Sequence, residues 1–192
     1  KMMAGTYGLE ENLIFLSATH DHHSVMDYHK HWSTGKFSQA YYDFFVDTVK
    51  KAYEECSASL EECEVYFGRG MVDGYYGSRI YYGQRADNEV LLVECRNAKG
   101  QVVAAICNWA THSTVLHPEN TLLTGDFAGA VCREIHALRG YYPAMVVGAA
   151  GDCSNRAQRK GTDFAELERI SKGVAAEIDK IVCDQRLNLS YQ

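Results

Sequence analysis

An apolar run that ends in a cluster of histidines, Asn12-Leu-Ile-Phe-Leu-Ser-Ala-Thr-His-Asp-His-His-Ser24, places the tightest constraint on what this chain can become. Its continuous hydrophobicity predicts a buried strand, with the histidines where the chain leaves the sheet. Side chains alternate along a strand, so His20 and His22 share a face and reach one site while Asp21 points away. That is a metal or acid/base site in outline. Taken alone, it is equally a solvated polar loop.

Two later apolar runs end in similarly loaded loops. Gln101-Val-Val-Ala-Ala-Ile-Cys-Asn-Trp-Ala110 suits a central strand and leads into His112. With Glu89-Val-Leu-Leu-Val-Glu-Cys95 and the glycine-containing link Asn97-Ala-Lys-Gly100, it predicts a hairpin. Tyr142 to Ala150 predicts a short interior strand of a parallel sheet, which empties into Gly151-Asp-Cys-Ser-Asn155. Small residues there allow a tight turn that presents Ser154, although the turn is neither a Gly-x-Ser-x-Gly elbow nor a P-loop.

Helices fill the intervals. Ser38 is a candidate N-cap for a helix to about Cys56, with Tyr41, Phe45, Val49 and Tyr53 on one stripe. Asp126 reads as the cap of a helix to about Leu138, where Gly129 in the first turn predicts a close backbone approach. A capping box, Asp163-x-x-Glu166, opens a helix carrying Leu167, Ile170, Val174, Ile178 and Ile181. Two further segments alternate like strands, Glu64 to Phe67 and Gly74 to Tyr82. The second sets Arg79 among tyrosines, where it either stacks on their rings or serves a site.

Strands interleaved with helices define an α/β class, a mixed β-sheet sandwiched by helices with its active site at the carboxyl ends of the strands. The 192 residues predict a single domain over 1–192. A net charge of −6 with scattered Lys and Arg argues against nucleic-acid partners. No apolar run approaches the roughly 20 residues of a membrane span. Seven cysteines, an odd count without a Cys-x-x-Cys pair, predict free thiols in a reducing, cytoplasmic setting. The opening Lys1 to Gly8 reads as a helix tail closing on glycine, with more chain expected upstream. The loop from His23 to Gly35 is expected to overlie the strand end, with His29 and His31 as surface residues.

The strand ends thus supply His20, His22, His112, Asp152 and Ser154. Neutral imidazoles from separate segments suit Zn²⁺, and a catalytic zinc keeps one position open for water or polarises a carbonyl.

Four segments carry a resemblance: Glu11 to His22, Asn108-Trp-Ala-Thr-His112, Leu123-Thr-Gly-Asp126-Phe-Ala-Gly129 and Gly148-Ala-Ala-Gly-Asp-Cys-Ser154-Asn155. In order and spacing they resemble the neutral/alkaline non-lysosomal ceramidase family, over about Ala4 to Gly151 and beyond. The resemblance implies a zinc-dependent amidase that cleaves an N-acyl linkage, with His20 and His112 as zinc ligands. It further implies that His22 and Arg79 contact the substrate or its developing oxyanion, and that Ser154 is the nucleophile or a substrate-contacting hydroxyl. The metal's water competes with Ser154 for the nucleophilic role.

Departures from the pattern are informative. The family's His-Thr-His-Ser-Gly-Pro stands here as His20-Asp-His-His-Ser-Val25, and its Ser-Pro-Asn as Ser154-Asn-Arg156, so the pocket rim is altered and the substrate is open. The family's Glu and Tyr ligands come from a later region, so the chain is expected to be a segment of a larger catalytic domain. The partner implied is a small-molecule or lipid amide, with Trp32, Tyr75, Tyr76, Tyr81 and Tyr82 available either as an apolar mouth or as packing pairs. Two alternatives remain: a non-catalytic ligand-binding or scaffold descendant, and a metal-free serine hydrolase using Ser154 with a histidine base.

Overall fold

The structure is a computed structural model that describes residues 1–25 and 36–189. His29, His31 and Trp32 lie outside the described residues. The chain forms two compact units, one of Lys1–Ser17 with Val25–Glu61, the other of Ala18–Ser24 with Glu62–Gln192.

In the first unit, α1 (Met2–Tyr7) closes on Gly8, whose φ of 66° is the left-handed conformation that ends helices. Helix α2 (Gln39–Ala58) begins as expected, the Ser38 hydroxyl accepting the Tyr41 N–H. Tyr7 packs on Tyr53 and donates its hydroxyl to Glu54 at 2.7 Å. The predicted strand over the apolar run is not there. Glu11–Leu13 makes one 3₁₀ turn and the following residues run extended without a ladder, leaving Phe15 and Leu16 78% and 84% exposed. A strand needs a neighbour for its backbone groups, and a run without period carries no information about one. Only Asp21, past the run, makes a single parallel bridge, to Ser113 within the second unit.

The second unit is built on a mixed sheet of five strands flanked by helices: β1 (Glu64–Met71), β3 (Glu89–Arg96), β4 (Val102–Trp109), β5 (Ala144–Val147) and β7 (Gln185–Leu187). Their order across the sheet is β5-β4-β3-β1-β7. Strands β3 and β4 form the expected hairpin, with a register shift between Cys95 and Arg96, and β5 joins β4 in parallel. Alternation sends Val90, Leu92, Cys107 and Trp109 to a buried face. There they meet Val131 and Ile135 of α3 (Asp126–Arg139) and Ile170, Val174 and Ile178 of α4 (Phe164–Asp179). Each such side chain contributes about 1.5–3 kcal/mol on full burial. Asp163 caps α4 as predicted, accepting the Glu166 N–H at 2.9 Å.

Of the predicted strand from Gly74 to Tyr82, only β2 (Gly77–Ser78) forms, paired with β6 (Cys153–Ser154). Its tyrosines explain why. Tyr76 is withdrawn into the core edge-on to Trp109, and Tyr75 lies over Gly173, where an added Cβ would fall 2.1 Å from its ring. Arg139 fastens the far end of the unit, donating to Glu94, Asp179 and the carbonyls of Ile178, Asp179 and Ile181. All seven cysteines are free thiols. Among the described residues no helix is long and apolar enough to cross a membrane.

Candidate functional site

Three short connections, all in the second unit, position the candidate side chains. The β2–β6 pair comes first. Gly77 faces Ser154, and a Cβ at Gly77 would sit 2.7 Å from the Gln84 carbonyl oxygen, so glycine is required for this close approach. The next residues anchor Arg79 doubly: its backbone N–H donates to the Asp152 carbonyl at 2.8 Å and its Nε–H to the Gly151 carbonyl at 3.0 Å. Two guanidinium nitrogens remain.

His112, three residues past β4, is held by one carbonyl. Its backbone N–H and its ring Nδ1 lie 3.3 and 2.9 Å from the Cys153 oxygen. A carbonyl only accepts, so Nδ1 carries the proton and Nε2 keeps its lone pair. Buried Asn155 adds its Nδ2 at 3.5 Å from the His112 oxygen.

The third connection is the Asp21–Ser113 bridge, which draws the histidine segment to this place. His20 turns it sharply, at φ 55°. The His20 ring lies 4.6 Å from that of His112 and 4.8 Å from that of His22, and His22 is 6.1 Å from His112. Burial, then the neighbouring rings, holds His22 below the usual imidazole range. Burial lowers His112 as well, aided by Arg79 and His20 and opposed by the Cys153 carbonyl. Both rings are therefore neutral at pH 7 and free to be ligands.

Zinc fits these residues in chemistry and in part in geometry. Two imidazoles on a tetrahedral ion, with bonds near 2.0–2.1 Å, have centroids about 5 Å apart, and the three separations bracket that value. His20 meets both neighbours edge to face, at 84° and 83°, an arrangement open to two imidazoles on one ion because each ring turns about its metal–nitrogen bond. Among the described residues, however, no group of three or more His, Cys, Asp or Glu could hold a metal ion. Two nitrogen ligands fit; a closed set needs donors from elsewhere.

Behind the rings lies a contact that the sequence does not reveal. His23, with only 7% of its side chain exposed, has Nδ1 3.4 Å from Asp126 Oδ2 and Nε2 3.3 Å from the His117 carbonyl. Asp126 is fully buried and does not cap α3, since the N-cap position is Gly125. Its carboxylate instead accepts the N–H groups of Val115 and Leu116 at 3.1 and 3.2 Å. Burial pushes this carboxyl up, against those two N–H groups and His23. The close approach expected at Gly129 is real but belongs to its partner, for a Cβ on Gly125 would fall 3.1 Å from the Gly129 Cα.

These elements enclose a cavity of about 290 Å³, lined by His22, His23, His112, His117, Arg79, Arg156 and Arg159 together with a few uncharged residues. Ser154 is absent from that lining. It is 1% exposed, and its Oγ accepts the Arg156 N–H at 3.3 Å. Of the aromatic residues considered for a mouth, Tyr75 and Tyr76 pack against the interior, whereas Tyr81 and Tyr82, just beyond Arg79, are exposed. Arg156, Arg159 and His117 carried no sequence signal beyond the altered Ser154-Asn-Arg156 turn. A larger cleft of about 590 Å³ beside Cys63, Tyr66 and Arg96 holds none of these histidines.

The fold is that of solved ceramidases, as the four motifs led one to expect. The chain matches the neutral ceramidase from Pseudomonas aeruginosa with a TM-score of 0.74, and a ceramidase complexed with C2 with a TM-score of 0.80. Identity is 19% in each case, and 96% of this chain is covered. It covers 34% and 33% of those chains, so it spans about a third of their length. No family model and no curated protein matches the sequence.

Proposed function

We propose that this chain is part of a ceramidase-like, zinc-dependent hydrolase that cleaves an N-acyl amide bond. One observation carries the reading: His20, His22 and His112, from two separate connections, gather within 6.1 Å beside a doubly anchored arginine. His20 and His112 would hold Zn²⁺ through two nitrogens, with the remaining ligands from outside the described groups. When bound, the ion polarises the amide carbonyl and makes a nucleophile available at neutral pH.

The chain's own residues do the rest. The Cys153 carbonyl holds His112 in the tautomer that leaves Nε2 free. His22, neutral at pH 7, accepts a proton during attack and returns it to the departing nitrogen. Arg79 directs its two unengaged nitrogens at the developing oxyanion, a contribution of a few kcal/mol in such sites. Ser154, 1% exposed and with its Oγ accepting the Arg156 N–H, holds the turn that carries Arg156 to the cavity.

Elemental analysis of the full-length protein tests this, with wild type beside His20→Ala and His112→Ala. About one zinc per chain, lost in both variants, is the expected result. A wild type that takes up no zinc after reconstitution, yet cleaves amides in a Ser154-dependent way, would replace it with metal-free serine chemistry.

A further inference from the structure

The cavity beside the three rings is unlike the rest of this acidic protein. Three guanidiniums and four imidazoles line it, and no carboxylate does. Three of the nearby acids are engaged or turned outward, and the exposed Asp152, whose carbonyl accepts the Arg79 N–H, does not line the cavity. Asp126 lies fully buried behind His23, accepting two backbone N–H groups; Asp21 Oδ1 accepts the His23 N–H; Glu119 sits 3.6 Å from His117 and is 89% exposed. Arg159 is tied down through Nη1, which donates to the carbonyls of Thr114 and Val115. Arg79 keeps two free nitrogens after its bond to Gly151. Arg156, in the exposed turn after Ser154, has no acceptor for its guanidinium among the described residues.

Two guanidiniums facing one small cavity without a counter-charge repel each other, and an anionic ligand relieves that cost. Planar guanidinium forks match a carboxylate in two parallel hydrogen bonds. The cationic lining and the histidines belong to one cavity of about 290 Å³, so an anion bound there shares that small space with the group that reacts. Resting on the amide-hydrolase reading of this site, we infer that its substrate is an N-acyl amino acid, the carboxylate held by Arg156 while Arg79 stays at the oxyanion and the amide faces the histidines. In an N-acyl amino acid the carboxylate is carried on the carbon next to the scissile nitrogen, which fits both groups into that space.

The test compares N-lauroylglycine with N-lauroylethanolamine, which lacks the carboxylate, and N-lauroylphosphoethanolamine, which bears a phosphate. The zinc-loaded full-length protein is used, with Arg156→Ala and Arg156→Lys alongside. Calorimetric binding of the uncleavable sulfonamides of the glycine and ethanolamine heads provides a second readout. The acidic amide is expected to be preferred by about tenfold or more in kcat/KM and in Kd, a preference that Arg156→Ala reduces by about tenfold and that salt weakens. Arg156→Lys retains part of it. Equal or better use of the ethanolamide overturns the inference while leaving amide hydrolysis intact, and preference for the phosphate overturns the carboxylate assignment. An equal loss on both heads in Arg156→Ala overturns it as well, since that is the mark of a structural role. Arg156-dependent binding of the glycine sulfonamide without any amide cleavage upholds the anion site and overturns the hydrolase reading instead. Neither binding nor cleavage overturns both.

Discussion

Two buried carboxylates mark the two ends of the second unit, and their surroundings treat them in opposite ways. Glu94 lies under Arg139 and Arg96 and accepts the Tyr141 hydroxyl at 2.6 Å. Burial raises its carboxyl, but those donors outweigh burial and hold it below the usual range. Asp126 is buried as deeply with no guanidinium partner, only two N–H groups and an imidazole, and burial prevails. An acid matched by full cations is a fastening. One left part-compensated next to a cavity is a poised group, of the kind found at functional sites.

Removing the cation at the fastened end should have the largest effect. Arg139→Ala leaves Glu94 buried beside a vacancy and frees the carbonyls at the end of α4, so urea unfolding should show a loss of about 3–5 kcal/mol. Thermal scans that match wild type would make the two ends equivalent and end the contrast. Asp126→Asn should cost about 1–3 kcal/mol, because the amide nitrogen faces an N–H donor wherever it points. Under the proposed function it should also lower zinc retention more than its stability loss explains, measured by competition with a chelator. Asp163→Ala touches neither acid and loses only the cap of α4, about 1 kcal/mol, which calibrates the other two.

The smallest effect is a slope. Glu94 is depressed in the folded state, so its stabilisation is present above its unfolded value and is lost as pH falls through the folded one. Asp126 is raised, so the folded state holds its proton longer, and stability falls as pH rises from the unfolded value toward the folded one. Glu94→Gln should therefore flatten the acid limb of a stability-versus-pH curve, and Asp126→Asn should steepen it. Parallel curves for the two variants would show that their environments do not differ.

Local patterns carried much of the fold. The hairpin around Asn97 to Gly100, the Ser38 and Asp163 caps and the apolar stripe of α4 each depend on residues a few positions apart, and each stands where its pattern placed it. Two strand readings failed for want of a partner that sequence could name. Leu13 to Leu16 has the composition of a strand but no partner among the described residues, and the tyrosines near Arg79 were drawn into the core by Trp109 and Gly173, both distant in sequence. Of the site, the histidine positions were legible because each follows an apolar run. The Asp126 carboxylate was not, since its donors lie ten and eleven residues back in a loop with no repeat to announce them. Arg156 was visible only as a departure from the Ser-Pro-Asn turn, with its charge unplaced until the cavity gave it neighbours.

The carbonyl that holds His112 by both its backbone and its ring belongs to Cys153, but nothing about cysteine is needed for it. No codon change at 153 deletes that oxygen. The grip is inherited with the path of the chain, so it can persist between relatives whose letters at this position disagree. Chemical synthesis offers a way in, because replacing the peptide bond after Cys153 with an ester weakens the acceptor without altering a side chain.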